Sequence, residues 1–293
     1  MATDTLDNKV KQVVSNIRNL PTPPIVFHQI QKVLNEPNAS AIDVAKILSE
    51  DPAMSVKVLK LTNSAFYGLA REIESVREAV VMVGMEAVKN LVLSASVLDM
   101  FKGDDLNQDF QEQFWRHSLA TAVAGRFLAR KLRGPGIVDP DSGFSAGLLH
   151  DVGKMVLCCF LKEEHAKFAA ARTEDRQSPD YVVEEQTLGY THSEIGGFLA
   201  SQWKLPQRLV DAITYHHRPD QSQVEEPIAA IIHLANYVAQ TTFLDSSEHH
   251  LVAPLDPNVL GLLGISQEDC QGYSDQLREE YVKAETFMKM AGV

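Results

Sequence analysis

His150 and Asp151 stand side by side inside FSAGLLHDVGKMVL, a stretch otherwise dominated by apolar and small side chains. Burying an imidazole and a carboxylate there costs several kcal/mol unless something compensates them. A metal ion is a common compensator, because neutral imidazole nitrogens and carboxylate oxygens are its usual protein ligands. The remaining histidines extend the pattern. His117 lies one helical segment before the pair, His192 one segment after it, and His216 and His217 follow, each within or at the end of a segment with helical apolar spacing. With Asp151 these imidazoles make a candidate site for one or two ions of Fe, Mn, Ni or Zn. Two ions bridged by a carboxylate would activate water and clamp a phosphate. Lys154 falls four residues after His150, one turn along a continuous helix, where its ammonium could meet a phosphate oxygen. Its plainer reading is a solvated side chain or an ion pair with Asp151. His28, His165, His233, His249 and His250 read as packed or surface residues.

The elements that must position these groups are helices. Apolar residues recur three and four apart along almost the whole chain, with no convincing series of alternating strands, so the expected class is all-α. LPTPP at Leu20 to Pro24 opens a helix that stops near Glu36-Pro37-Asn38, and Ser40 caps the next. Asp51-Pro52 has the order of an N-cap followed by a first-turn proline, opening a helix expected to end near Gly68. Ser75 with Glu78 reads as a capping box, Gly84 as a stop, and Met85 to Met100 as a further helix. Phe110, Phe114, His117, Ala124 and Leu128 share one stripe of a long helix, which turns His117 inward and ends in the loop Arg133-Gly134-Pro135-Gly136. Thr191 with Glu194 is a second capping box and sets His192 in the first turn of its helix. Pro206 starts a helix running to His216 and His217, which Pro219 stops. Pro227 starts another, on which Asn236 falls on a buried or half-buried face.

The polar stretch Gly103 to Asn107 marks an expected boundary. The division is a polar leader at 1–17, an N-terminal helical subdomain at 18–106, a histidine-bearing subdomain at 107–242, and a C-terminal loop and helix at 243–293.

The chain has 293 residues and a net charge of −12, which argues against a broad nucleic-acid surface, since phosphate binding relies on clustered Lys and Arg. Its three cysteines include the neighbours Cys158 and Cys159, which cannot easily bridge, so no disulfide framework is expected. There is no long apolar run and no charged-then-apolar start, and the expectation is a soluble protein of a reducing cytoplasm, without nucleic-acid or membrane partners.

The order His117, His150-Asp151 with Lys154, His192, then His216-His217 resembles the HD superfamily of metal-dependent phosphohydrolases. In ligand order it is similar to the HD-GYP cyclic-di-GMP phosphodiesterases. LPTPPIVFHQI, ILSEDPAMSVKVLKLTNSAFYG and IESVREAVVMVGMEAVKNLVL narrow the likeness to the HDOD family, the HD-related output domain of bacterial signalling proteins. The resemblance implies an HD-like helical bundle with His117, His150, Asp151, His192, His216 and His217 as metal ligands. It also implies a last ligand that is aspartate in the superfamily and is Asn236 here, a neutral and weaker donor. Gln113 stands one turn before the first histidine, where the HD-GYP enzymes carry Glu, and the GYP sequence is absent, for His216-His217 run into RPDQSQ.

These departures point to a noncatalytic regulatory or scaffold module of bacterial signal transduction that keeps part of the metal pocket. Its input would come from a signalling partner or a small phosphate ligand, since no receiver, GGDEF-like or DNA-binding segment is visible. The alternative is a metal-dependent phosphohydrolase acting on a nucleotide or phosphate ester, with Lys154 holding the phosphate. A metal or redox sensor using iron is a third reading.

Overall fold

Short polar side chains satisfy the first backbone N–H groups of several helices and so fix where they begin. The computed structural model describes residues 2–17, 20, 22–101, 108–132, 138–224, 227–243 and 252–291. In chain order the helices are α1 (Ala2–Ser15), α2 (Ile25–Leu34), α3 (Ala41–Ser49), α4 (Pro52–Thr62), α5 (Val76–Val83), α6 (Met85–Met100) and α7 (Gln108–Lys131). There follow α8 (Pro140–Leu149), α9 (Val152–Phe160), α10 (Lys162–Glu174), α11 (Asp180–Leu188), α12 (His192–Gln202) and α13 (Gln207–Tyr215). A 3-10 turn at Pro219–Gln221 precedes α14 (Ile228–Thr242), α15 (Pro257–Leu263), α16 (Gln267–Gly272) and α17 (Ser274–Ala291). The described residues contain no strand, so the fold is all-α. No single helix among them is long and apolar enough to cross a membrane.

The chain divides into two units. One comprises residues 21–115 and 277–293, the other 1–20 and 116–276, and two of the three crossings fall within α7 and α17. The expected boundary at Gly103 to Asn107, the loop at Arg133 to Gly136, and His249 and His250 lie outside the described residues.

In the first of these units α3 packs on α5, α2 on α6, and α4 on both α5 and α6. Phe27, Ile30, Leu48, Val58, Leu61 and Leu91 supply its interior. Ser40 and Asp43 form a full capping box at α3, and the Asp51 carboxylate accepts from Met54 N–H at α4, with Pro52 in the first turn. The Ser75 hydroxyl accepts from Glu78 N–H, but the Glu78 carboxylate takes Glu74 N–H and pairs with Arg71, so only half of the expected capping box forms. Helix α4 ends at Thr62, short of Gly68. The cause is Asn63, whose side chain donates to Ile73 O at 2.8 Å and accepts from Ile73 N–H at 2.7 Å, fastening the end of α4 to an incoming strand of loop. Ser64 and Phe66 are buried beside it, and Phe66 meets Tyr67 edge-on, so this segment packs rather than presenting a bare recognition surface.

The other unit carries the histidines. There α12 lies against both α9 and α13, and α14 against α13 and α8. Two glycines permit the close approaches. A Cβ on Gly153 would lie 1.8 Å from His192 O, and one on Gly147 2.6 Å from Ala122 Cα. The backbone of α9 therefore presses directly against the start of α12, where His192 stands, and α8 presses against α7 above His117 in the chain.

The C-terminal stretch past Phe243, expected as loop and one helix, also holds α15 and α16, and the polar leader contains α1.

Candidate metal centre

The sequence FSAGLLHDVGKMVL does not form one helix. His150 closes α8 and Asp151 opens α9, and the two turn residues between the helices are the pair itself. Lys154 is therefore not one turn along a continuous helix from His150. At this two-residue break Asp151 is the N-cap of α9, and its carboxylate becomes the centre of the site.

Asp151 is buried, and its two oxygens face different histidines. Oδ2 lies 3.4 Å from His150 Nε2 and 3.6 Å from His117 Nε2. Oδ1 lies 3.0 Å from His192 Nε2 and 3.5 Å from His216 Nε2. His117 and His150 are 3.2 Å apart through their Nε2 atoms, and so are His192 and His217. Two donor groups share the carboxylate. Asp151, His192, His216 and His217 form one, and His117, His150 and Asp151 the other, each with its ligand atoms within 4.8 Å of one another.

The outer nitrogens show which tautomers are present. His150 Nδ1 lies 2.7 Å from Gly147 O and His216 Nδ1 2.8 Å from Ile213 O. A carbonyl can only accept, so each Nδ1 carries the proton when the ring is neutral, and each Nε2 offers its lone pair to the centre. This is how protein histidines are held ready for a metal. His192 Nδ1 makes the corresponding bond to the Glu184 carboxylate at 2.7 Å, and the same Glu184 Oε2 accepts His192 N–H at 2.7 Å. The capping box of Thr191 and Glu194 fixes the rest of that helix start.

Charge in the cluster follows from burial and neighbours. Burial pushes the Asp151 carboxyl up, but His150, Lys154 and His192 together reverse this and hold it well below the usual carboxylate range. Burial drives His150 well below its ordinary value despite the pull of Asp151, and burial with His216 and His192 does the same to His217. Burial also lowers His216, against the pull of Asp151. His192 moves the other way. Burial opposes its protonation, but Glu184 and Asp151 raise it to about 9. His192, between two carboxylates, is thus the imidazole of the cluster that most favours a second proton, and a cation at Nε2 would have to displace it.

Lys154 donates to Asp151 Oδ2 at 2.8 Å and lies 4.0 Å from Asp180, which Arg172 holds at 2.9 Å. Its ion pair with Asp151 matches the plainer expectation from sequence. Asn236 is buried on α14, and neither its Oδ1 nor His216 Nε2 makes a hydrogen bond among the described residues. His216 Nε2, turned toward Asp151 Oδ1 at 3.5 Å, fits a donor awaiting an ion. His117, His150, Asp151, His192, His216 and His217 are thus brought together. Gln113 is exposed. His233 is a satisfied core histidine, donating from Nδ1 to His216 O at 2.7 Å and accepting Asp256 N–H at 2.9 Å.

Sequence reasoning missed Glu184 and Tyr181. Tyr181 stacks on the half-buried His217 ring, with centroids 4.4 Å apart and planes 18° off parallel. Glu184 had a faint signal, a carboxylate between Val183 and Leu188 that becomes buried with them on α11.

Comparison with known proteins places this geometry. The family model for the HDOD domain matches residues 20–219. A Treponema pallidum protein is 29% identical over 80% of this chain, and the chain spans only 44% of that relative's length. The solved structure of an HDOD domain protein of unknown function from Geobacter sulfurreducens is 26% identical, covers 98% of both chains and superposes with a TM-score of 0.78. A Shewanella amazonensis structure, provisionally named a phosphohydrolase, is 24% identical with a TM-score of 0.74 over 97% of this chain and 98% of its own. At that identity it shows the shared fold alone.

Proposed function

The chain belongs to the HDOD domain family, and from that premise we propose that it is a noncatalytic regulatory or scaffold module of bacterial signal transduction whose histidine pocket holds a divalent transition metal. The observation that carries the metal is the donor set itself. His150, His216 and His192 each bond outward from Nδ1 and turn Nε2 toward Asp151, as a ligated imidazole requires. His117, His150, Asp151, His192, His216 and His217 would hold one or two such ions, with Asn236 as a weak neutral donor. Fe, Mn, Ni and Zn all suit such a nitrogen-rich set.

The case against turnover rests on two residues. The superfamily's last aspartate is replaced by Asn236, which takes one negative charge from the pocket. Lys154, the group that would hold a phosphate, is bonded to Asp151 instead. When bound, a metal would act as a Lewis acid and lower the pKa of coordinated water. Without a competent acceptor set that capacity serves binding, and the occupied pocket stiffens the joint between α8 and α9 for recognition by a signalling partner or a small phosphate ligand. Hydrolysis assays with phosphomonoester and phosphodiester probes and added Mn, Fe, Ni or Zn test this. The expected result is no turnover above the metal blank, and metal-dependent turnover lost in Asp151→Ala overturns it.

One observation favours the second reading, a metal-dependent phosphohydrolase acting on a nucleotide or phosphate ester. Asp151 is placed to bridge two donor groups, one on each oxygen. The same assays decide between the two.

A further inference from the structure

The two faces of Asp151 are not equivalent, and the difference lies in a cation that the chain itself supplies. The Oδ1 face meets only imidazoles, His192 at 3.0 Å and His216 at 3.5 Å, with His217 adjoining. The Oδ2 face meets His150 and His117, but its shortest contact is the Lys154 ammonium at 2.8 Å. Lys154 stands in the first turn of α9, and its N–H bonds to Asp151 O at 2.8 Å, so the side chain is tethered to the residue it neutralises.

From this we infer that Lys154 is a built-in occupant of the second ion's position, so that the pocket takes one metal ion on the Oδ1 face and admits another only when Lys154 withdraws to Asp180. The inference rests on the metal reading above and adds stoichiometry and a control on it. A metal entering the Oδ1 face displaces at most a proton from an imidazole. One entering the Oδ2 face must displace a lysine ammonium, which keeps its charge at neutral pH and has no lone pair to share. The face it guards is also the poorer in ligands, with two imidazoles to the other's three. An alternative berth exists, because Asp180 lies 4.0 Å from Lys154 Nζ and is itself fixed by Arg172. An anion arriving at the pocket would offer another.

The test is titration of the chelator-stripped full chain with cobalt(II), read by visible absorption and by calorimetry. The wild type should take one tight equivalent, with any second weaker by about tenfold or more. Lys154→Met should tighten the second equivalent by about tenfold and by more than it tightens the first, which shares the Asp151 carboxylate. Asp180→Asn, which removes the berth without touching the cluster, should weaken the second equivalent further and guards against a misfolded Lys154 variant. Two equivalents of equal affinity in the wild type, or a second equivalent unmoved in both variants, overturn the inference while sparing the metal reading. No binding of any cobalt defeats both.

Discussion

A single oxygen of Glu184 accepts both the backbone N–H and the Nδ1–H of His192, each at 2.7 Å. One carboxylate thereby fixes the start of α12, the tautomer of its first residue and the direction of Nε2 toward Asp151. Glu184→Gln keeps an acceptor of the same shape and removes the charge. Metal affinity should fall by about 10- to 100-fold, as for other carboxylates behind a ligating histidine. Calorimetric titration checks this, and circular dichroism should show the helices intact.

The same pair sets a pH dependence in the metal-free chain. The folded-state value for His192 is raised to about 9, above the roughly 6.5 of an unfolded histidine. Its contribution is therefore fully present below about 6.5 and is lost as pH rises through about 9. His150 and His217 are shifted down, so the unfolded chain binds their protons first and stability also falls as pH drops below about 6.5. Thermal unfolding of the stripped protein should give a maximum near neutrality. In Glu184→Gln the alkaline limb should flatten and the acid limb persist.

Gly153 is the place where α9 and α12 touch. Since a Cβ there would lie 1.8 Å from His192 O, Gly153→Ala must push the two helices apart. The expected loss is about 3 kcal/mol or more, toward the upper end of overpacking effects. Chemical denaturation measures it, and metal affinity should drop with it because His192 moves away from Asp151. An unchanged unfolding midpoint would mean that the approach of these helices is not what sets the site.

Asn236→Asp supplies the charge that the resemblance to the HD superfamily leads one to expect at that position. Metal affinity should rise by at least about tenfold, since one more unit charge faces the ion in a poorly solvated pocket. Hydrolysis of a phosphodiester probe, expected to be absent in the wild type, should become detectable. Unchanged affinity would place Asn236 outside the ligand shell.

The parts of this architecture legible in the sequence are those written by local chemistry. Ser40, Asp51-Pro52 and Thr191 with Glu194 cap helices where expected, and Met85 to Met100 forms a helix with the predicted limits. The histidines were legible as a set because each ends or lines a helical stripe. Helix α10 was not, for it buries none of its residues fully and so shows no apolar period. Helix α11 was hidden for a related reason, since one of its three buried residues is the Glu184 carboxylate. The break at His150-Asp151 was equally invisible. Apolar residues flank it on both sides, and it shows only in the non-helical backbone of Asp151, which separates one helix from the next.

The central claim is that this cluster is a metal site, and the most direct test is the transition-metal content of the full chain purified without added metal, beside Asp151→Ala. Close to one ion of Fe, Mn, Ni or Zn per wild-type chain is expected, and almost none in the variant. A wild-type chain free of metal that takes up none of these ions when they are supplied would contradict the claim.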